Sequence, residues 1–190
     1  MNITDLDTSK IYTYADYLTW DFLERVELIK GKVWKMSPAP SRKHQQISRE
    51  ISRFLSMYFH GKKCEFYVAP FDVRLPKKGE NEVYTVVQPD ICIICDSSKL
   101  DEQGCIGAPD LIMEILSPGN SKKEMRDKFE VYEDAGVKEY WIINPLDKNI
   151  LVYLLNEKGK FIGLKPFTED MKVSPFLFPD LEIDLKEVFI

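Results

Sequence analysis

The chain has 190 residues, 44% of them hydrophobic and 30% charged, with a net charge of −5 and a pI of about 5.2. That balance excludes tight, non-specific coating of nucleic acid, which depends on many phosphate neutralisations, but not a nucleic-acid enzyme, because a bound divalent cation changes the local field whatever the net charge. No apolar run approaches the roughly 18 to 20 residues of a membrane span and residues 1–10 show no apolar signal segment, so the expectation is a single domain over residues 1–190, cytoplasmic and off the membrane.

In chain order, TYADYLTW predicts a short helix with Thr13 and Asp16 at capping-box spacing. RVELIKGKVWKMSP alternates around Lys30-Gly31 and predicts a hairpin ending at Pro38. Ile47, Ile51, Phe54, Leu55 and Tyr58 recur at helical spacing. They predict an amphipathic helix over 41–59, begun by Ser41 and closed near Gly61. Three strand-like runs follow: CEFYVAPFDVRL, YTVVQPDICIIC and PDLIMEIL, the last stopping at Pro118. A helix from Ser121 to Ala135 is stopped by Gly136, and the turn PLDKN joins the strands EYWIIN and ILVYLL. This order predicts an α/β fold, a mixed sheet flanked by helices, with an N-terminal helix and hairpin extension. The closing FPDLEIDLKEVFI is expected to be an ordered cover or a contact surface.

Cys64, Cys92, Cys95 and Cys105 predict core thiols and no disulfide framework. Cys92 and Cys95 have zinc-like spacing, but residues three apart on a strand point to opposite faces. No second such pair exists, and no zinc site is expected. Two basic clusters, one at Arg42, Lys43, Arg49 and Arg53 and one at Lys122, Lys123, Arg126 and Lys128, read as solvated helix faces.

The chemistry gathers around Glu114, which lies between Ile112-Met113 and Ile115-Leu116 in a strand that otherwise reads as buried. An unpaired buried carboxylate costs several kcal/mol or gives up its charge. Asp90 interrupts VVQPDICII in the same way, and alternation places Asp110, Ile112 and Glu114 on one strand face. Two close carboxylates repel unless one is protonated or a cation lies between them, and hard oxygen donors suit Mg²⁺ or Mn²⁺. The alternative is that Asp90 caps a strand after Pro89 while Glu114 pairs with a buried Arg or Lys. Met125, Phe129 and Tyr132 form the apolar stripe of the next helix, and Lys128 shares it. Taken alone, Lys128 reads as a snorkelling lysine. An inward lysine beside two inward acids is the set that metal-dependent phosphodiester hydrolysis requires.

These motifs resemble the PD-(D/E)XK, restriction-endonuclease-like superfamily, and more closely its Uma-type restriction endonuclease branch. The resemblance runs through ELIKGKVWKMSPAPSRKHQQI, VAPFDVRL, VVQPDICIICD, GAPDLIMEILSPGN, KFEVYEDAGVKEYWIINP and LEIDLKEVF. It implies an α-β-β-β-α-β core and a divalent-metal-dependent endonuclease that cuts DNA, with Asp90 and Glu114 holding Mg²⁺ or Mn²⁺. In the superfamily motif a lysine follows the acid by two positions, and here that position is Leu116. The branch places the lysine on the helix, which matches Lys128. Glu27 and His44 also match family positions near the site, Glu27 as an auxiliary acid. As residues alone, Glu27 reads equally as an exposed hairpin residue and His44 as a helix N-terminal residue without chemistry. Single-site nucleases must cut two strands and family members resemble dimers, which makes a homodimer the expectation. A non-enzymatic interaction module is the main rival. Metal-free acid/base chemistry such as glycoside hydrolysis is a third class, disfavoured because it gives Lys128 no role.

Overall fold

The structure is a computed structural model describing residues 3–36, 39–77, 82–117 and 122–190, the side chains of 122–124 excepted. Helix α1 (Tyr14–Tyr17) precedes the hairpin of β1 (Val26–Ile29) and β2 (Lys32–Lys35), and the long helix α2 (Arg42–Phe59) follows. Strands β3 (Glu65–Val68), β4 (Val73–Arg74), β5 (Val86–Val87), β6 (Ile91–Ile94), β7 (Leu100–Asp101), β8 (Gly104–Ile106) and β9 (Leu111–Ile115) come next. Helix α3 (Lys122–Ala135) leads to β10 (Glu139–Asn144), β11 (Asn149–Leu155), β12 (Phe161–Gly163) and β13 (Phe167–Thr168). The chain closes with β14 (Lys172–Val173), β15 (Ile183–Asp184) and the short helix α4 (Leu185–Val188). The expected stops at Pro38 and Pro118 and the expected helix start at Ser121 lie outside the described residues.

Local chemistry accounts for the element ends. Thr13 and Asp16 form the capping box of α1, and Ser41 Oγ accepts from His44 N at 3.2 Å to cap α2. The β1–β2 turn has positive φ at both Lys30 (52°) and Gly31 (72°), as a two-residue hairpin turn demands. A Cβ on Gly31 would lie 2.4 Å from Ile11 Cγ2, so glycine is required twice over.

The expected single mixed sheet is divided in two among the described residues, and β14 and β15 pair apart as a third, two-stranded sheet. The larger sheet runs β12-β11-β10-β9-β6-β3, with β13 also on β11; β9 and β10 are parallel and its other pairs antiparallel. The smaller runs β2-β1-β5-β4-β8-β7, so the N-terminal hairpin is one end of a sheet and not an appendage. The chain changes sheet inside two runs that read as continuous strands. Pro70 separates β3 from β4, and Pro89 separates β5 from β6. Proline has no N–H to continue a ladder, and the runs break there.

Alternation sorts the core of the larger sheet. Leu111, Met113, Ile115, Ile91 and Ile93 pack with Ile47, Ile51 and Leu55 of α2. Ile112, Cys92, Ile94 and Tyr140 pack instead with Val131 and Tyr132 of α3. The tail is a cover: Leu185, Val188 and Phe189 are buried in the cluster that contains α2. No helix among the described residues is long and apolar enough to cross a membrane.

The cysteine expectation needs correction. Cys64 and Cys95 form a disulfide, while Cys92 and Cys105 are buried thiols. The antiparallel register Glu65↔Ile94 places Cys64 opposite Cys95, one step beyond the ladder, a long-range pairing that sequence spacing does not encode.

Glu139, at the start of β10, is fully buried and was not singled out by its sequence context. It accepts from Trp141 Nε1 at 2.7 Å, Phe176 N at 3.1 Å and Leu177 N at 3.2 Å, fastening the tail loop to the sheet. Burial outweighs these three donors and leaves its pKa raised. Glu139→Ala strands all three N–H groups and is expected to destabilise the protein by about 3 kcal/mol. Glu139→Gln, which keeps the shape, is expected to cost less. Denaturant unfolding of the two variants measures the difference.

Candidate active site

Each segment delivers one polar group to a common point. Register in the β6–β9 pair (Ile91↔Met113) sets Asp90 opposite Glu114, one step past the end of β6. Glu114 follows Ile112 onto the α3 side of the sheet. Lys128 and Tyr132, one turn apart on α3, meet it there. Lys128 Nζ lies 3.1 Å from Glu114 Oε1, and the Tyr132 hydroxyl donates to the same oxygen at 2.6 Å. Glu27 arrives from β1 of the other sheet, with Oε1 3.0 Å from Lys128 Nζ and accepting from Gln88 N at 2.8 Å. Asp90 Oδ2 accepts from Ile115 N at 2.7 Å and lies 3.2 Å from His44 Nε2 in the first turn of α2.

All five expected site residues therefore lie in one cluster. His44, Asp90, Glu114 and Lys128 line a cavity of about 170 Å³, and Glu27 sits behind Lys128, only 2% exposed. Larger hollows lie beside Tyr67 and Asp72 (about 450 Å³) and beside Leu75 and Tyr84 (about 740 Å³), but neither is lined by a buried charged side chain. Leu116 packs with the α3-side core, the face that Glu114 shares, where the superfamily lysine would stand; the ammonium of Lys128 reaches Glu114 from the helix instead. Asp110 is buried, but it accepts from Cys95 N (2.8 Å) and Lys138 Nζ (2.7 Å) and takes no part in the cluster. Tyr132 belongs by spacing to the apolar stripe, yet its hydroxyl serves Glu114. Its sequence signal is a phenol on the inward face one turn from the inward lysine, facing a strand acid.

The buried charges act on one another at close range. Burial raises the pKa of Glu114; Lys128 opposes this, and the charges of Asp90 and Glu27 reinforce it. Burial alone would lower Lys128, but Glu114 and Glu27 outweigh it and hold the ammonium well above its ordinary value. His44 is raised on balance: burial works against the charged ring, and the hydrogen bond and charge of Asp90, helped by Glu114, prevail. Its Nδ1 is buried with no hydrogen-bond partner among the described residues.

The donor set suits a hard divalent cation. The bonds among the described residues engage Asp90 Oδ2 and Glu114 Oε1, while Oδ1 and Oε2 enter none of them. No group of three or more His, Cys, Asp or Glu side chains among the described residues is arranged to hold an ion unaided. Mg²⁺ does not need one, since it usually binds one or two carboxylates and completes its shell with water and substrate phosphate.

Compensation of Glu114 is thus already present within the protein, and it depends on Lys128. Lys128→Met leaves Glu27 and Glu114 buried without their cation and is expected to cost about 3 to 5 kcal/mol in thermal or denaturant unfolding. Glu114→Gln leaves Lys128 paired with Glu27 and removes a repelling charge, so unfolding in EDTA should change by at most about 1 kcal/mol. A carboxyl whose pKa is raised in the fold contributes stability that is full below its unfolded value. That stability is lost as pH rises past the ordinary 4.5 and through the raised value. The metal-free parent should therefore melt higher in mild acid than in mild base, and Glu114→Gln should flatten that dependence.

Comparison with known proteins bears on the family and the fold. The family model Uma2, described as "Putative restriction endonuclease", matches residues 14–186. An uncharacterized protein of Synechocystis sp. is 24% identical over 152 residues, which are 78% of this chain and 77% of that protein. The crystal structure of a "putative nuclease belonging to DUF820" from Anabaena variabilis shares the fold, with a TM-score of 0.72 at 21% identity over 93% of this chain and 97% of that one. With its restriction-endonuclease-like fold and a family match over nearly its whole length, the chain belongs to the Uma2 family.

Proposed function

We propose that the protein is a Mg²⁺- or Mn²⁺-dependent endonuclease that hydrolyses phosphodiester bonds in DNA, with Asp90 and Glu114 as the metal ligands. The observation that carries this reading is the buried Lys128, shared between Glu114 and Glu27 and lining the cavity that also holds Asp90. When bound, the cation would supply Lewis acidity at the phosphate and lower the pKa of the attacking water.

The remaining work falls to the chain's own groups. Ile115 N–H and His44 orient Asp90, and Tyr132 fixes Glu114 at Oε1. Lys128 offers an ammonium to the water or to the charge that develops on phosphorus oxygens. Glu27 keeps that ammonium in place from behind. Cutting both strands at one position would take two such sites, for which a homodimer is the simplest arrangement.

The test is plasmid cleavage in Mg²⁺ or Mn²⁺ by the parent, Asp90→Asn and Glu114→Gln. The parent should cut, and each variant should lose at least about 100-fold in rate. Mn²⁺ should also raise the melting temperature of the parent and not that of Asp90→Asn. A parent that neither cuts nor gains stability from metal would leave the Uma2 fold here as an interaction module.

A further inference from the structure

The floor of the cavity is acidic, which poses a problem for a substrate made of phosphates. Asp90, Glu114 and Glu27 face one lysine and one histidine. A polyanion can settle there only if the rim supplies positive charge and donors. We infer that the rim residues Arg25, Gln45 and Ser48 hold the phosphodiester backbone of the nucleic acid, with Arg42 extending the contact on the first turn of α2. The inference rests on the nuclease reading and assigns that site its substrate contacts.

Three observations carry it. First, Arg25, Gln45 and Ser48 line the same cavity as Asp90, Glu114 and Lys128. On α2, Ser48 lies one turn beyond His44 and Gln45 next to it in sequence, so the helix that presents the ring to Asp90 also brings two neutral donors to the rim. Second, Arg25 is exposed, and among the described residues its guanidinium meets no carboxylate. Among the described residues it reaches Gln88 Oε1 alone, from Nε at 3.1 Å and from Nη2, and Nη1 enters no bond with them. Arg42, also exposed, takes part in no ion pair among the described residues. Elsewhere, Lys10, Lys30, Lys35 and Lys160 each rest on an acid, while Lys62, Lys63, Lys158, Lys165 and Lys186 are exposed and enter no ion pair among the described residues; what sets Arg25 apart is its place on the cavity. Third, Gln88 fixes the arginine beside the site. Its Nε2 donates to Asp72 Oδ1 at 2.7 Å, and its backbone N–H donates to Glu27. An arginine with open donors, beside amide and hydroxyl donors, is the set that contacts phosphate oxygens in nucleic-acid complexes.

Fluorescence anisotropy with a short labelled DNA duplex, in EDTA so that nothing is cut, tests this across a series of NaCl concentrations. The parent should bind with a salt-dependent affinity. Arg25→Ala and Arg42→Ala should each weaken binding several-fold at low salt and reduce the slope of log K against log[salt] by about one, as loss of one phosphate contact does. Arg25→Lys should keep the slope. Gln45→Ala and Ser48→Ala should weaken binding without changing it, because neutral donors displace no counterions. Lys165→Ala, an exposed cation beyond β12, should change neither. A matched RNA duplex in a parallel arm tells which nucleic acid supplies the backbone. An Arg25→Ala protein with the parent's melting temperature, affinity and slope would overturn the inference, as would a parent that binds neither duplex. A parent that binds through Arg25 but never cuts defeats the nuclease reading and leaves this contact standing. A parent that cuts while Arg25→Ala binds normally does the reverse.

Discussion

The ammonium of Lys128 between Glu114 and Glu27 is the interaction on which the rest of the arrangement depends. Two carboxylates from different sheets cannot share a dry space without a cation between them. One lysine on α3 satisfies both, and in doing so it fixes the helix against β9 and β9 against the hairpin. Tyr132 adds a second donor to Glu114 from the next turn of the same helix. The packing of α3 on the sheet and the charge state of the cavity are therefore one problem. A change that shifts the helix by a fraction of an ångström alters both.

Much of this was legible in the residues themselves. The apolar spacing of Ile47, Ile51 and Leu55 places α2, and the Met125-Phe129-Tyr132 stripe orients α3 closely enough to predict that Lys128 points inward. Glu114 and Asp90 announce themselves by interrupting strands that are otherwise apolar. What the sequence hides is long-range. Nothing local indicates that Glu27 of the hairpin lies against a lysine 101 positions later, or that Cys64 meets Cys95. Pro70 and Pro89 are visible, but that the chain changes sheet at each of them follows only from the tertiary fold. Asp110 shows the opposite hazard: it shares a strand face with Glu114 yet serves Lys138 and the Cys95 backbone.

The charge distribution has two zones. Inside, acids outnumber bases and the protein relies on mutual pairing to tolerate them, as Glu114 and Lys128 show by shifting each other in opposite senses. On the surface, many cations sit on acids, and those charges cancel in small pairs.

The passage of the chain at Gln88-Pro89-Asp90 has a consequence for assembly. Asp90 takes its place only when β6 has joined the larger sheet, and Gln88 N–H finds Glu27 only when β5 has joined the smaller one. The cavity thus closes through contacts between distant parts of the chain, the kind that form late because loop entropy must be overcome first. A nascent chain that has not yet made β9 and α3 holds neither Glu114 nor Lys128, and its half-formed sheets lack the cavity's charged pair. Lys128 comes with α3, so the docking of that helix brings the cavity its ammonium and gives Glu27 and Glu114 their counter-charge in one step.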